Sequence, residues 1–203
     1  MRGAPASFPV TESDSHLQKY LEFSEKLVKE LKDILKKYFN GKRDYVGIHL
    51  RNGEDWKNAC DHAELAPKFM ASYQCVGFDY HKKFTKDMCL PSKDLVLNLT
   101  RQIVLKETIS NLYIATDKNP FLDEFKKLLP GVKVVHHNPH LPIVDIMVLS
   151  EARYFIGTCG SSFSSLVWRH RREYKKGPSA MFIADALSSS PIYGDRSSNS
   201  DEL

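Results

Sequence analysis

The stretch "SKDLVLNLTRQIVLKETISNLYIAT", residues 92–116, sets the fold class. "SKDLVLNLTRQIVLKETIS" reads as a helix with Ser92 as its cap candidate, and "NLYIAT" reads as a strand. The same rhythm continues downstream. "NPFLDEFKKLL" is a helix with Pro120 near its first turn, "VKVVHH" a strand, "PIVDIMVLSEA" a helix and "YFIGT" a strand. "SSFSSLVWRHRREY" is then a helix and "SAMFIA" a strand. Upstream, "YVGIHL" (residues 45–50) is a near-continuous apolar run, the pattern of a parallel strand covered on both faces. Before it, Leu17, Leu21, Leu27, Leu31 and Leu35 recur at helical spacing, so one long amphipathic helix is expected from about Asp14 to Phe39. "SDSH" supplies its cap candidates and "GKRD" closes it. Strands alternating with helices imply right-handed βαβ units and a doubly wound, mostly parallel α/β sheet.

Three segments fall outside that rhythm. Residues 1–13 are rich in Pro, Ser and Ala and read as irregular. Residues 52–92 hold three cysteines with little periodicity, and a structureless loop of that length in a compact domain calls for a staple. Disulfides would supply it. The tail, residues 188–203, is Ser-rich, which leaves 14–187 as the folded domain.

Composition narrows the function classes. Hydrophobic residues make up 42% of the 203, enough for a core, so a disordered chain is not expected. The net charge of +4 is mild, and many lysines pair with acids along helical faces. No dense basic stripe with interleaved aromatics is present, which argues against nucleic acid. No apolar run reaches the length of a membrane span. The first residues carry one Arg and no apolar core of signal-peptide length. Three other features point to the secretory lumen: four cysteines, the acceptor sequon "NLT" at Asn98, and a terminal "SDEL" close to the endoplasmic-reticulum retrieval signal.

In an open α/β sheet, ligands bind at the carboxyl ends of the strands. Two segments there carry suitable chemistry. In "YVGIHLRNGEDW", alternation puts His49 and Arg51 on one side of the strand as it exits. Arg51 is a planar, permanent cation suited to a diphosphate, or it closes the turn by pairing with Glu54 or Asp55. The residue types weigh these two readings equally. In "YFIGTCGSSFSSLVW", a strand ends at Thr158, a Gly-containing turn follows, and Ser161 and Ser162 open a helix. Its N–H groups form an anion site, or serine simply caps the helix, and both can hold at once. Asp145 begins a helix among apolar residues and reads first as a cap, second as an acceptor for a purine or ribose. Asp117, after "YIAT", reads as a turn residue. His136, His137 and His140 lack a standard ligand spacing, and no metal site is expected there. No C-x-x-C, G-x-S-x-G, P-loop or dinucleotide fingerprint is present.

The runs "YVGIHLRNGEDWKNAC", "ASYQCVGF", "MCLP", "LYIATD", "VDIMVL" and "FIGTCGSSFSSLVWRHR" strongly resemble the C-terminal half of the protein O-fucosyltransferases that modify EGF-like repeats. "GAPASFPV" resembles the start of that half, and the match runs in register from about Gly3 to about Ala184. The resemblance implies a GT-B glycosyltransferase, with this chain as one of two Rossmann-like domains facing a cleft. It implies inverting transfer of fucose from GDP-fucose to a Ser or Thr hydroxyl, without an essential metal or other cofactor. Carried over by motif, the GDP-fucose contacts are His49, Leu50, Arg51, Asp145, Ser162 and Phe163, with Ser161 beside them. Arg51 is implied as the catalytic residue, and Asp55 as the acid that orients it. The same matching pairs Cys60 with Cys89 and Cys75 with Cys159. The family's N-terminal half, with its signal peptide and opposing cleft wall, has no counterpart in these residues.

The expected partners are GDP-fucose and EGF-like repeats such as those of Notch-type receptors, in the endoplasmic-reticulum lumen. One alternative is a non-catalytic, truncated product that binds GDP-fucose or helps acceptors fold. Another is a cytosolic nucleotide-binding protein, which predicts four free thiols.

Overall fold

The computed structural model describes residues 10–66, 69–70, 72–175 and 180–187. Residues 1–9 of the irregular N-terminal segment and the Ser-rich tail with "SDEL" lie outside the described residues. Five strands form one all-parallel sheet: β1 (Val46–Leu50), β2 (Asn111–Thr116), β3 (Lys133–Val135), β4 (Tyr154–Gly157) and β5 (Ala180–Phe182), in the order β3-β2-β1-β4-β5. The chain winds outward from β1 to β3, then returns to the other side of β1 with β4. The switch in winding direction lies between β1 and β4, and it opens a crevice at their carboxyl ends.

The strands read as apolar runs because both faces are covered. All five residues of β1 are buried. Val46, Ile48 and Leu50 pack with α4 (Lys93–Lys106) and α5 (Leu122–Leu128) on one face. On the other, Tyr45, Tyr113 and Phe155 pack with α1 (Glu25–Phe39), α6 (Pro142–Glu151) and α7 (Ser162–Lys175). Gly47 permits the close approach of α6: a Cβ there would sit 3.0 Å from Leu149 Cδ2 and 3.1 Å from Ala152 Cβ. Ser92 caps α4 as expected, its Oγ accepting the Leu95 N–H at 3.3 Å.

Arg171 closes α6 from below. Its side chain is 1% exposed, and Nη1 donates to the carbonyls of Leu149, Ser150 and Ala152 at 3.1, 3.0 and 2.5 Å. A charged residue in the middle of the "RHRRE" run is therefore an internal cap for the C-terminal carbonyls of a neighbouring helix.

Three expectations are corrected. The long helix from Asp14 is broken: Ser15–Tyr20 is a 3-10 helix, the backbone is extended at Leu21 and Ser24, and α1 begins at Glu25. The break occurs where tertiary bonds replace helical ones, because the Tyr174 hydroxyl on α7 donates to the carbonyls of Lys19 and Leu21. Pro120 stands outside the first turn of α5, which starts at Leu122 after Phe121 in the left-handed region. Segment 52–92 is not structureless. It contains α2 (Glu54–Cys60), α3 (Lys86–Cys89) and short 3-10 turns around its own core of Trp56, Phe69, Phe84 and Met88. The disulfides Cys60–Cys89 and Cys75–Cys159 run through that core.

Candidate functional site

The site is built where β1, β2 and β4 end. Arg51 follows the last residue of β1, Leu50, and its guanidinium lies between two carboxylates. Nη2 donates to Asp55 Oδ2 at 2.5 Å and Nη1 pairs with Asp117 Oδ2. The guanidinium carbon stands 5.3 Å from the Trp56 ring centroid, a cation–π contact that supports its plane. The hydrogen bond from Arg51 holds the Asp55 carboxyl below the usual carboxylate range. The ion pair with Asp55 closes the turn, one of the two sequence readings of Arg51.

Asp117 does more than close a turn. Its Oδ1 and Oδ2 accept the N–H groups of Asn52 and Gly53 at 2.8 and 3.0 Å, tying the end of β2 to the exit of β1. Glycine at position 53 leaves room for this carboxylate, since a Cβ there would lie 2.5 Å from Asp117 Oδ2. Asn52 completes the tie. Its Oδ1 accepts from Thr116 Oγ1 and Asn119 N, and its Nδ2 donates to the Asn119 carbonyl. The strand-end position of Asp117 was visible in the sequence. Its pairing with a residue 66 positions earlier was not.

His49, on β1, is 4% exposed. Its ring stacks on Phe163 with centroids 4.4 Å apart, and Nδ1 lies 2.7 Å from Ser164 Oγ. Burial, with Arg51 nearby, pushes its pKa down to about 3, so the imidazole is neutral. Thr158, at the end of β4, donates its hydroxyl to the His49 carbonyl at 2.8 Å and accepts the Arg51 N–H at 3.2 Å. "HLR" and "GTCGSSF" are thus one hydrogen-bonded unit.

The turn from β4 into α7 is held from beneath. Cys159 is bonded to Cys75, and Gly160 adopts a positive φ of 78° with the Phe84 ring so close that a Cβ would meet it at 2.6 Å. Ser161 is buried and caps α7, its Oγ accepting the Ser164 N–H at 3.4 Å. Ser162 opens the first turn and is exposed. The helix N-terminus directs its N–H groups and positive dipole end to the crevice side of the sheet.

Asp145 lies in the first turn of α6 and is 8% exposed. It does not cap the helix. Its Oδ1 accepts the Tyr113 hydroxyl at 2.5 Å, and burial raises its pKa to about 6. The histidines separate: His136 Nδ1 lies 2.9 Å from the Ile114 carbonyl, and His137 Nδ1 lies 3.0 Å from the Tyr38 hydroxyl. Asn98 is exposed on α4, while Thr100 of the same sequon is buried.

A strand-end arginine, a neutral histidine and a helix N-terminus in one crevice can hold a diphosphate. A family model described as GDP-fucose protein O-fucosyltransferase matches residues 3–174. The chain belongs to this family.

Its relatives include GDP-fucose protein O-fucosyltransferase 1 of Caenorhabditis elegans, 31% identical over 180 residues, which are 86% of this chain and 46% of the relative. GDP-fucose protein O-fucosyltransferase 2 of Drosophila melanogaster is 26% identical over 100 residues, 43% of this chain and 20% of the relative. Among solved structures, POFUT1 in complex with GDP-fucose superposes with a TM-score of 0.78 at 28% identity, covering 89% of this chain and 52% of that one. POFUT1 in complex with GDP gives 0.79, with 89% and 54% covered. The chain therefore spans about half the length of these O-fucosyltransferase 1 relatives, and its α/β fold matches that part of their GT-B fold.

Proposed function

We propose that this chain forms the donor-binding half of a peptide-O-fucosyltransferase, which transfers fucose from GDP-fucose to a Ser or Thr hydroxyl of an EGF-like repeat. In this reaction the acceptor oxygen attacks the anomeric carbon on the face opposite GDP. The bond from that carbon to the diphosphate oxygen breaks, GDP leaves with the electron pair, and the hydroxyl gives up its proton to a base. The configuration inverts.

One observation carries the reading: Arg51 stands at the carboxyl end of β1, oriented by Asp55 and Asp117, beside the N-terminus of α7. Negative charge grows on the departing diphosphate, and a preoriented guanidinium stabilises that charge more in the transition state than in the ground state. The first-turn N–H groups of α7 and the Ser162 hydroxyl add donors, with Ser161 and Phe163 shaping the turn. His49 and Leu50 line the approach along β1. Asp145 accepts donors from the nucleoside. The reading assigns the diphosphate charge to these protein groups and requires no metal.

The same reading places the protein in the endoplasmic-reticulum lumen, supported by two disulfides and an exposed sequon asparagine at Asn98. Notch-type EGF-like repeats are its proposed acceptors. The test is transfer of labelled fucose from GDP-fucose to a folded EGF-like repeat by the full-length protein. Arg51→Ala is expected to lower kcat by about 10²–10³. Undiminished transfer by the variant would overturn the role of Arg51.

A further inference from the structure

Ser164 lies in the first turn of α7, is 0% exposed, and its hydroxyl makes two hydrogen bonds at the centre of the site. The Thr158 backbone N–H donates to its Oγ at 3.0 Å, and His49 Nδ1 lies 2.7 Å from the same oxygen. A backbone N–H can only donate, so the first bond uses a lone pair of Oγ and leaves the hydroxyl proton to be placed. Among the described residues, His49 Nδ1 is the one acceptor within reach of that proton. The Gly160 carbonyl, four residues back and the usual alternative for a helical serine, is not hydrogen-bonded to the Ser164 hydroxyl and accepts that of Ser72. An Nδ1 that accepts must be unprotonated, so the proton of a neutral ring sits on Nε2. Nε2 has no hydrogen-bond partner among the described residues.

We propose that Ser164 is a positioning residue that fixes the His49 tautomer, so that His49 presents Nε2–H as a hydrogen-bond donor to an anionic oxygen of the nucleotide sugar. The Phe163 ring fixes the imidazole plane while Ser164 fixes its protonation pattern, and the two residues are consecutive on α7. The Thr158 N–H that orients Ser164 belongs to the residue whose hydroxyl binds the His49 carbonyl and accepts the Arg51 N–H. The inference rests on the donor-site reading above.

The direct test is nitrogen NMR of the imidazole in the full chain. Nδ1 is expected to be the unprotonated, pyridine-type nitrogen and Nε2 the protonated one. A proton on Nδ1 overturns the proposal, and this measurement needs no variant. Calorimetric titration with GDP supplies the functional arm. Ser164→Ala, which removes the hydroxyl with little change of volume, is expected to mix the two tautomers and weaken GDP binding about tenfold. GDP affinity unchanged in Ser164→Ala but reduced in Arg51→Ala overturns the proposal alone. Affinity unchanged in both variants overturns the donor-site reading as well.

Discussion

At the scale of single residues, Arg51 is held by two carboxylates that differ in environment. The Asp55 side chain is 71% exposed and that of Asp117 is 26% exposed. An exposed ion pair contributes little, whereas a carboxylate that also binds two backbone N–H groups fixes the guanidinium against the strand end. Asp117→Asn is therefore expected to lower kcat about tenfold, and Asp55→Asn by less. Steady-state kinetics with both variants checks the order, and a larger loss in Asp55→Asn contradicts it. Asp145 adds a pH dependence. Its folded pKa of about 6 lies above the ordinary 3.8, so the folded state favours the neutral acid. That stability is fully present below about pH 4 and is lost as pH rises through 6. Relative to Asp145→Asn, which keeps an acceptor for Tyr113, the wild-type protein should lose at most about 3 kcal/mol of unfolding free energy between pH 4 and 7. Denaturant melts of the two proteins across that range measure the difference, and a pH-independent difference contradicts the burial argument. His49 and Arg51 were legible because strand periodicity places them at a known end of the sheet. Asp117 and Ser164 were not. A strand-end aspartate and the third serine of "SSFS" look like turn and cap residues until the sheet order brings β2 and β4 to either side of β1.

At the scale of elements, the βα rhythm from Ser92 onward was legible because the central strands are buried on both faces and apolar residues recur along the helices between them. Segment 52–92 was not, because its core is assembled from aromatic residues and disulfides without periodicity. Its helices are short enough that no repeat develops: α2 has seven residues and α3 four. The N-terminal helix was misread for a different reason. Leucine spacing continues from Leu17 through Leu21 to Leu27, but the carbonyls of Lys19 and Leu21 bind Tyr174 in place of the next helical turn. Cys75–Cys159 spans 84 residues and ties this segment to the turn before α7. Replacing both cysteines by serine should destabilise the chain by about 2–5 kcal/mol and weaken GDP binding, because Cys159 adjoins Gly160 and Ser161. Replacing Cys60 and Cys89, whose bond closes 29 residues within the segment, should lower the melting temperature with a smaller effect on GDP affinity. Melting curves and GDP titrations on the two double variants separate these effects. Equal losses of affinity contradict the separate placement of the two bridges.

At the scale of the whole molecule, the sheet order, the crevice at the β1/β4 switch and the three groups that converge on it make up the proposed nucleotide site. The family's solved relatives are about twice as long, so the acceptor is expected to require surfaces beyond this domain, while the nucleotide half of the donor requires few. The central claim is that residues of this chain bind the GDP moiety through Arg51. Calorimetric titration of GDP into the folded chain and into Arg51→Ala tests it most directly. The account predicts one saturable site in the wild-type chain and affinity lowered at least tenfold in the variant, with circular dichroism unchanged. Equal GDP affinity in the two folded proteins would contradict it.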